Sequence, residues 1–168
     1  KRLQNAVFPE NKNCKVMPRQ VFAECRSLKT VILPKKLEEI KEEAFYKCDC
    51  LESLVLPETL RRIGSKGFYQ CGFKELMLPE GLEYIGDSAF LKCKKLEYVR
   101  IPSSVTTIEK WAFHGCNVLK ILEIHHDPEK VGEWITNKNC VIRCYKGSFM
   151  DTYAQEYGIK TEYLEKSQ

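Results

Sequence analysis

Short stretches of alternating apolar and polar residues recur along the chain, and most of them are followed at once by a proline. Their pattern, apolar-x-x-apolar-x-apolar, is typical of a strand with one buried face. Proline lacks a backbone donor for a ladder, so it ends the strand. The pattern predicts strands at residues 3–8, 28–33, 51–56, 73–78, 96–101 and 119–124. A second apolar phrase, Leu-x-x-Ile or Val-x-x-Ile, follows four of the prolines and predicts a second extended segment in those units.

These stretches belong to a repeat that is marked by the phrase Phe-x-x-Cys. The phrase occurs five times, at intervals of 23, 23, 22 and 23 residues. Its phenylalanines are Phe22, Phe45, Phe68, Phe90 and Phe113. A period of this length is typical of a solenoid, in which each unit coils once and stacks on the next. Because the phrase is too short for a full helix, we expect a short turn or a single helical turn there.

The spacing departs from the period at two places. One residue is missing between Cys71 and Phe73, where the backbone freedom of Gly72 helps to close a tighter connector. Two residues are added before Phe22, which predicts an irregular loop near residues 11–13. Elsewhere the register is supported by charge, because the residue after each strand-opening position alternates in sign. These residues are Lys29, Glu52, Lys74, Glu97 and Lys120.

The repeat pattern stops after residue 124, which predicts two units: a repeat array over 1–124, irregular at its start, and a capping unit over 125–168. In the cap, Val131, Trp134 and Ile135 suggest a short helix, and Ser148 is an N-cap signal. The other expected cap elements are a strand at 140–145, a helix at 149–157 and a strand at 159–164. Since the chain opens inside a repeat, we expect the array to have been cut from a longer protein.

Composition and charge remove several classes of function. The net charge is +4, and the 27 basic and 23 acidic residues interleave along the chain, which does not favour nucleic-acid binding. No apolar run approaches the roughly 18 residues that a membrane span needs. Nucleophile, phosphate-loop and dinucleotide motifs are missing from the sequence. We therefore expect no enzyme activity, no cofactor and no nucleic-acid partner.

Nine cysteines are present, an odd number that excludes complete intrachain pairing. Five belong to the repeat, and we expect them to form an internal column of small buried side chains. The other four are Cys14, Cys50, Cys140 and Cys144, whose disulfide state the sequence leaves open. His125, His126 and Asp127 with the last two cysteines match no structural zinc spacing, so we expect no metal site.

At this point the repeat resembles a known family. Ala-Phe-x-x-Cys-x-x-Leu at 89–96 and Ile-Pro-x-x-Val-x-x-Ile at 101–108 are similar to the BspA-type leucine-rich repeat, and the tail from 145 to 159 is similar to the unit that closes such arrays. The resemblance covers residues 3–164. It implies a mainly β repeat solenoid, a right-handed coil or horseshoe of parallel strands with an α/β C-terminal cap. It also implies binding or adhesion at the surface of bacteria or protists, without catalysis, and it transfers no site residues.

The candidate binding residues are the outward positions of the predicted strands, which form two columns. One column begins apolar and ends charged, and a contiguous apolar patch of this kind often marks a contact. Tyr98 and Arg100 are of the residue types that anchor interfaces. The candidates are Ile32, Val55, Met77, Glu75, Tyr98, Arg100, Ile121 and Glu123. The ordinary preference of strands for β-branched residues remains an alternative explanation of the apolar positions.

Three functions remain open. The first is a monomeric binding module of a larger cell-surface or secreted protein, which recognises a protein or a glycan through the exposed strand face. The second is a structural spacer without a ligand of its own. The third is an intracellular interaction scaffold, which reduced cysteines would favour.

Overall fold

The computed structural model describes residues 2–8 and 13–165, which form a parallel-strand solenoid of about seven turns. Residues 11 and 12 of the expected irregular loop lie outside the described residues. In chain order the strands are β1 (Asn5–Val7), β2 (Val16–Met17), β3 (Thr30–Ile32), β4 (Glu39–Ile40), β5 (Arg62–Ile63), β6 (Tyr84–Ile85), β7 (Tyr98–Ile101), β8 (Thr107–Ile108), β9 (Ile121–Ile124), β10 (Lys130–Val131), β11 (Val141–Cys144) and β12 (Lys160–Tyr163). The single helix among the described residues is α1 (Phe149–Glu156).

The strands form two sides of the coil, as the two apolar phrases of the repeat predict. On one side the short second phrases pair in the continuous order β10-β8-β6-β5-β4-β2. On the other side, which we call the strand face, β1 pairs with β3 and the order β12-β11-β9-β7 forms a second sheet. Paired residues are equivalent positions of successive repeats, for example Tyr98 with Ile121 and Ile40 with Ile63. The predicted fold class and the predicted register are therefore confirmed.

The strand face is interrupted in its middle. The strands expected at 51–56 and 73–78 are not formed, although the alternation of buried and exposed side chains is kept there. At the start of these segments, the Lys74 N–H donates to the Glu52 carbonyl and the Glu97 N–H donates to the Lys74 carbonyl, both over 3.4 Å. The regular ladder resumes at β7. This interruption corrects the prediction of an unbroken row of strands.

The interruption coincides with the shortened connector at residues 71–73. Phe73 is fully buried at the position where other turns carry a leucine, and its ring packs edge-on against Phe68 at 5.4 Å. A Cβ on Gly72 would lie 2.2 Å from the Asp49 carbonyl oxygen, and Gly72 does not have a positive φ. Position 72 thus requires glycine because the backbone of the preceding turn comes so close, and not because of the expected conformational freedom. We infer that the short connector and the larger ring together displace the segment that follows.

A stacked column of phenylalanines forms the centre of the core. The rings of Phe22, Phe45, Phe68, Phe90 and Phe113 follow one another at centroid distances of 5.3, 5.2, 5.4 and 5.0 Å. Each such pair contributes about 0.5–1.5 kcal/mol beyond area burial. The repeat cysteines are buried beside them. The column therefore joins successive turns along the axis of the coil.

Each Phe lies in a tight turn and not in a helical turn. The residues two before and two after the Phe have positive φ, as at Ser88 (57°) and Lys92 (62°) around Phe90. This conformation costs roughly 1 kcal/mol or more for a residue with a Cβ. In the last Phe turn the following position is Gly115, with a φ of 72°, which meets the requirement without that cost.

The C-terminal strands and helix follow the predicted elements with one correction. The Ser148 hydroxyl accepts a hydrogen bond from the Asp151 N–H, α1 follows, and β12 pairs with β11. The short helix expected at 131–135 is wrong, because β10 and a turn with Trp134 at positive φ occupy this segment. Strands β10 and β11 continue both ladders past residue 124. The boundary between array and cap at that residue stays a prediction.

Candidate binding face

The apolar candidates lie on the strand face and are strongly exposed. Ile32 is 60% exposed, and Val55 and Met77 are each 87% exposed. Val7, paired with Ile32 in the β1–β3 ladder, is 68% exposed and extends the same line. We call these four residues the apolar row. Four large apolar side chains in equivalent positions of successive turns form one hydrophobic line, of the kind that often marks a contact surface.

The polar candidates continue the face beyond the apolar row. Glu75, Tyr98 and Arg100 are exposed, and Arg100 pairs in register with Glu123. The other two candidates are less accessible than an outward strand position suggests. Ile121 is half-buried, and Glu123 is only 9% exposed. The exposed part of the predicted face therefore ends at β7.

Glu123 is covered because Arg143 and His125 each bind one of its carboxylate oxygens. One Arg143 nitrogen lies 2.9 Å from its Oε2, and the other lies 3.0 Å from a Glu162 carboxylate oxygen. His125 Nε2 lies 2.6 Å from its Oε1. Burial acts to raise the pKa of Glu123, but the hydrogen bonds with His125 and Arg143 outweigh it and lower the pKa overall. Glu123 therefore stays ionised and serves as a junction between β9 and β11.

Tyr98 lies between this ionic cluster and the interruption in the strand face. Its side chain is 43% exposed. Partial burial raises the pKa of its hydroxyl, and the negative charge of Glu123 adds to that effect. The phenol therefore remains neutral at physiological pH, its hydroxyl hydrogen-bonds with the Glu123 carboxylate, and the exposed part of its ring is available for contacts.

A cleft of about 700 Å³ opens where the ladder is interrupted. Buried Leu76 and Leu78 and the ring of Pro102 contribute its apolar lining, while Met77 and Tyr98 line its exposed part. Its charged lining residues are Lys74, Glu75, Glu80, Glu97 and Arg100. Four of the eight candidates thus meet at one cleft, namely Glu75, Met77, Tyr98 and Arg100. A volume of this size is typical of pockets that hold a small molecule or a side chain of a partner.

The repeat cysteines have a structural role that extends the prediction. The Cys71 thiol donates to the Phe45 carbonyl over 3.2 Å, and equivalent bonds link Cys48, Cys93 and Cys116 to the preceding turns. Burial raises the pKa of Cys71 and Cys93, and it raises that of Cys140 to about 11. Among the described residues no cysteine forms a disulfide, and Cys50 is the exposed one. These buried thiols are therefore protonated and unreactive.

The histidine segment next to the cap is held by structural bonds. His126 Nε2 lies 2.7 Å from the Val105 carbonyl oxygen, and Asp127 accepts a hydrogen bond from the Met150 N–H at the start of α1. Within the part of the chain that the structure describes, no group of three or more His, Cys, Asp or Glu side chains is placed to hold a metal ion. Nor does any helix in that part have the length and apolar character to cross a bilayer.

Sequence reasoning missed Arg143 and Glu162, which shape one edge of the face. Arg143 occupies the same outward column as Arg100 and Glu123, with which it continues the register. The sequence predicts the strand at 140–145 but assigns it to a separate cap. Extending the column by one more turn would have identified Arg143 as the partner of Glu123.

Comparison with known families agrees with this geometry. The model of the BspA type leucine rich repeat region matches six copies over residues 3–143. The chain belongs to the BspA-type leucine-rich repeat family. The match runs through β10 and into β11, as do the ladders. Repeat folds of this family are generally non-catalytic.

Solved structures of bacterial leucine-rich repeat proteins share this fold. A Treponema pallidum leucine rich repeat protein is 29% identical, with a TM-score of 0.70, and the match covers 94% of this chain and 72% of that one. A leucine-rich repeat protein from Bacteroides ovatus is 28% identical, with a TM-score of 0.69, and the match covers 96% of this chain and 37% of that one. A leucine rich cell surface protein from Faecalibacterium prausnitzii shares the fold at 17% identity and a TM-score of 0.50, over 98% of this chain and 60% of that one. No curated protein sequence matches the chain.

Proposed function

We propose that the chain is a monomeric, non-enzymatic binding module that recognises a protein or a glycan through its strand face. The observation that carries the proposal is the apolar row, whose exposed fractions of 60–87% leave four large apolar side chains in water. A soluble solenoid gains nothing in stability from such exposure, whereas a partner that covers the row recovers hydrophobic free energy. The stacked core below holds the row in place, so binding needs little ordering of the face.

The proposed location is the cell surface or the secreted space. The BspA-type family and the relative described as a leucine rich cell surface protein support it. The nine cysteines argued against an oxidising location, but seven of them are buried. Since buried protonated thiols resist oxidation, the cysteine content does not favour an intracellular scaffold.

A pull-down from candidate host extracts and a glycan array, both with the isolated chain, test the proposal. We expect Val55→Ser to weaken any retained partner and Tyr98→Ala and Arg100→Ala to weaken it further. Val118→Ser is the matched control, because Val118 is also an exposed apolar residue, at 43%, but lies in a connector away from the strand face. Equal binding by all variants would refute the face assignment. No partner in either assay would favour the spacer.

A further inference from the structure

Within the described part of the chain, the cleft at residues 74–102 lies at an unpaired strand edge of the strand face, and the edge of β3 that faces segment 51–56 is unpaired as well. Strand β7 bonds to β9 along one edge, and among the described residues no second strand pairs with it. Its other edge faces segment 75–78, where the ladder is interrupted. An unpaired strand edge offers backbone donors and acceptors to an extended polypeptide. A partner segment that lies along β7 would extend over the cleft.

Within the described residues, each charged side chain that lines the cleft has an ion-pair partner except one carboxylate. Lys74 lies 3.9 Å from Glu52, which also lies 2.7 Å from Lys95, Arg100 lies 3.3 Å from Glu80, and Lys120 lies 2.6 Å from Glu97. Glu75 is exposed and makes no ion pair within residues 2–8 and 13–165. The unpaired Glu75 carboxylate therefore disfavours an acidic group beside it and offers an ion-pair partner to a cationic one.

The side chains around Glu75 suit a long cationic side chain. Glu75 and Tyr98 occupy equivalent positions of successive turns, as the Glu97 to Lys74 backbone hydrogen bond shows one residue earlier. Both line the cleft, Glu75 in the interrupted segment and Tyr98 on β7. Met77, 87% exposed, and the apolar lining provide a surface for an aliphatic stem. The face of the Tyr98 ring can receive a cation.

We propose that the cleft binds a lysine or arginine side chain presented by an extended segment of a partner protein. The stem lies on Met77 and Leu76, the cation reaches the Glu75 carboxylate and the Tyr98 ring, and the partner backbone follows the open edge of β7. The inference rests on the proposed function of the strand face as a binding surface. It narrows the partner to a protein and the recognised feature to a basic residue.

The three methionines of the chain make a direct test possible. Met77 lies in the cleft, whereas Met17 and Met150 are fully buried and serve as internal controls. The experiment uses the chain labelled with ¹³C at the methionine methyl groups. The probes are chitotetraose, as a glycan, and three capped pentapeptides, Ac-Val-Thr-X-Thr-Val-NH₂, in which X is lysine, norleucine or glutamate. Methyl NMR spectra are recorded during titration to millimolar peptide.

We expect the lysine peptide to shift the Met77 methyl signal saturably, while the signals of Met17 and Met150 stay in place. The norleucine peptide should bind about two- to five-fold more weakly, the range that one exposed ion pair supports. The glutamate peptide should produce no shift. Glu75→Gln should reduce binding of the lysine peptide to the norleucine level, whereas Glu156→Gln, on an exposed face of α1, should leave it unchanged.

Three results would overturn the inference. Equal affinities for the lysine and norleucine peptides would show that the lysine charge does not contribute to binding. A Met77 shift with chitotetraose and none with the peptides would assign the cleft to a glycan. No shift of the Met77 methyl signal with any probe would show that the cleft does not bind these ligands. If pull-down binding still depended on Ile32 and Val55 in that last case, the proposed function would stand and this inference alone would fail.

Discussion

Substitution of Gly72 by alanine tests the origin of the interruption in the strand face. The new Cβ would lie 2.2 Å from the Asp49 carbonyl oxygen and 3.4 Å from that of Leu51, and contacts below 3.0 Å are essentially never found. The stacked connectors must therefore separate by roughly 1 Å, an overpacking strain that costs about 1–3 kcal/mol. For a chain of this size, a loss of 2 kcal/mol lowers Tm by about 4–8 °C.

Gly67→Ala is the matched control. Gly67 takes the position that holds Ala44, Ala89 and Ala112 in the other turns, and these three alanines are fully buried. Its Cβ would lie 3.1 Å from the Gly64 carbonyl oxygen, which a small shift relieves. Alanine also lowers the conformational entropy of the unfolded chain, which raises the free energy of unfolding by about 0.4–1 kcal/mol. We therefore expect the stability of this variant to stay within about 1 kcal/mol of the wild type.

Urea unfolding monitored by the fluorescence of Trp111 and Trp134 measures both variants. The expected order of stability is Gly67→Ala close to the wild type and Gly72→Ala clearly below both. Because the connector positions segment 75–78, Gly72→Ala should also shift the methyl signal of Met77 in the folded protein. A Gly72→Ala variant with wild-type stability and an unchanged Met77 signal would refute our explanation of the interruption.

Three further predictions concern the core, the thiols and the ionic cluster. Phe68→Ala should lower the free energy of unfolding, measured with urea, by about 3–5 kcal/mol, because the Phe68 ring is fully buried between two others. Phe149→Ala, at an exposed position, should change it by less than about 0.5 kcal/mol. Similar losses in the two variants would contradict the stacked column. Ellman's reagent should label Cys50 rapidly in the native protein and the seven buried thiols only after unfolding, and rapid native labelling of those seven would be inconsistent with this core. Since the pKa of Glu123 is lower in the folded state, its contribution to stability is present above its ordinary pKa of 4.5 and is lost as pH falls through the folded value. Between pH 6 and pH 3, the urea midpoint of Glu123→Gln should therefore fall less than that of the wild type. An equal fall would mean that the ionic cluster at Glu123 does not stabilise the fold.

The period of the sequence was sufficient to predict the register of the coil. The pairing of Tyr98 with Ile121 and of Ile40 with Ile63 follows from counting residues between prolines and phenylalanines. Burial of the inward positions follows from strand alternation. The cap helix was found because Ser148 is a local N-cap signal, whose effect does not depend on distant parts of the chain.

The features that the sequence did not reveal depend on fit in three dimensions. The turn at 132–136 was missed because Thr136 stands where the other turns carry Phe. The backbone shows the equivalence, since the Phe113 N–H donates to the Ile135 carbonyl over 2.7 Å, as the Phe90 N–H does to the Ala112 carbonyl over 2.8 Å. Burial of Glu123 was missed because it requires Arg143 from a later turn. Interruption of the ladder was missed because no residue in 51–56 or 73–78 is unsuited to a strand.

A solenoid in which every turn is equivalent presents the same side chains at every step, so a ligand that binds one turn binds all of them equally. Selective recognition at one position therefore needs a turn that differs from its neighbours. In this chain, the 22-residue interval, the Phe73 substitution for leucine and the unpaired Glu75 occur at one turn, and the open edge of β7 faces it from the next turn. The apolar row extends along several turns, whereas the cleft lies at one position beside it. For the proposed binding module, loss of the interruption should therefore weaken discrimination between partners more than it weakens binding to the apolar row.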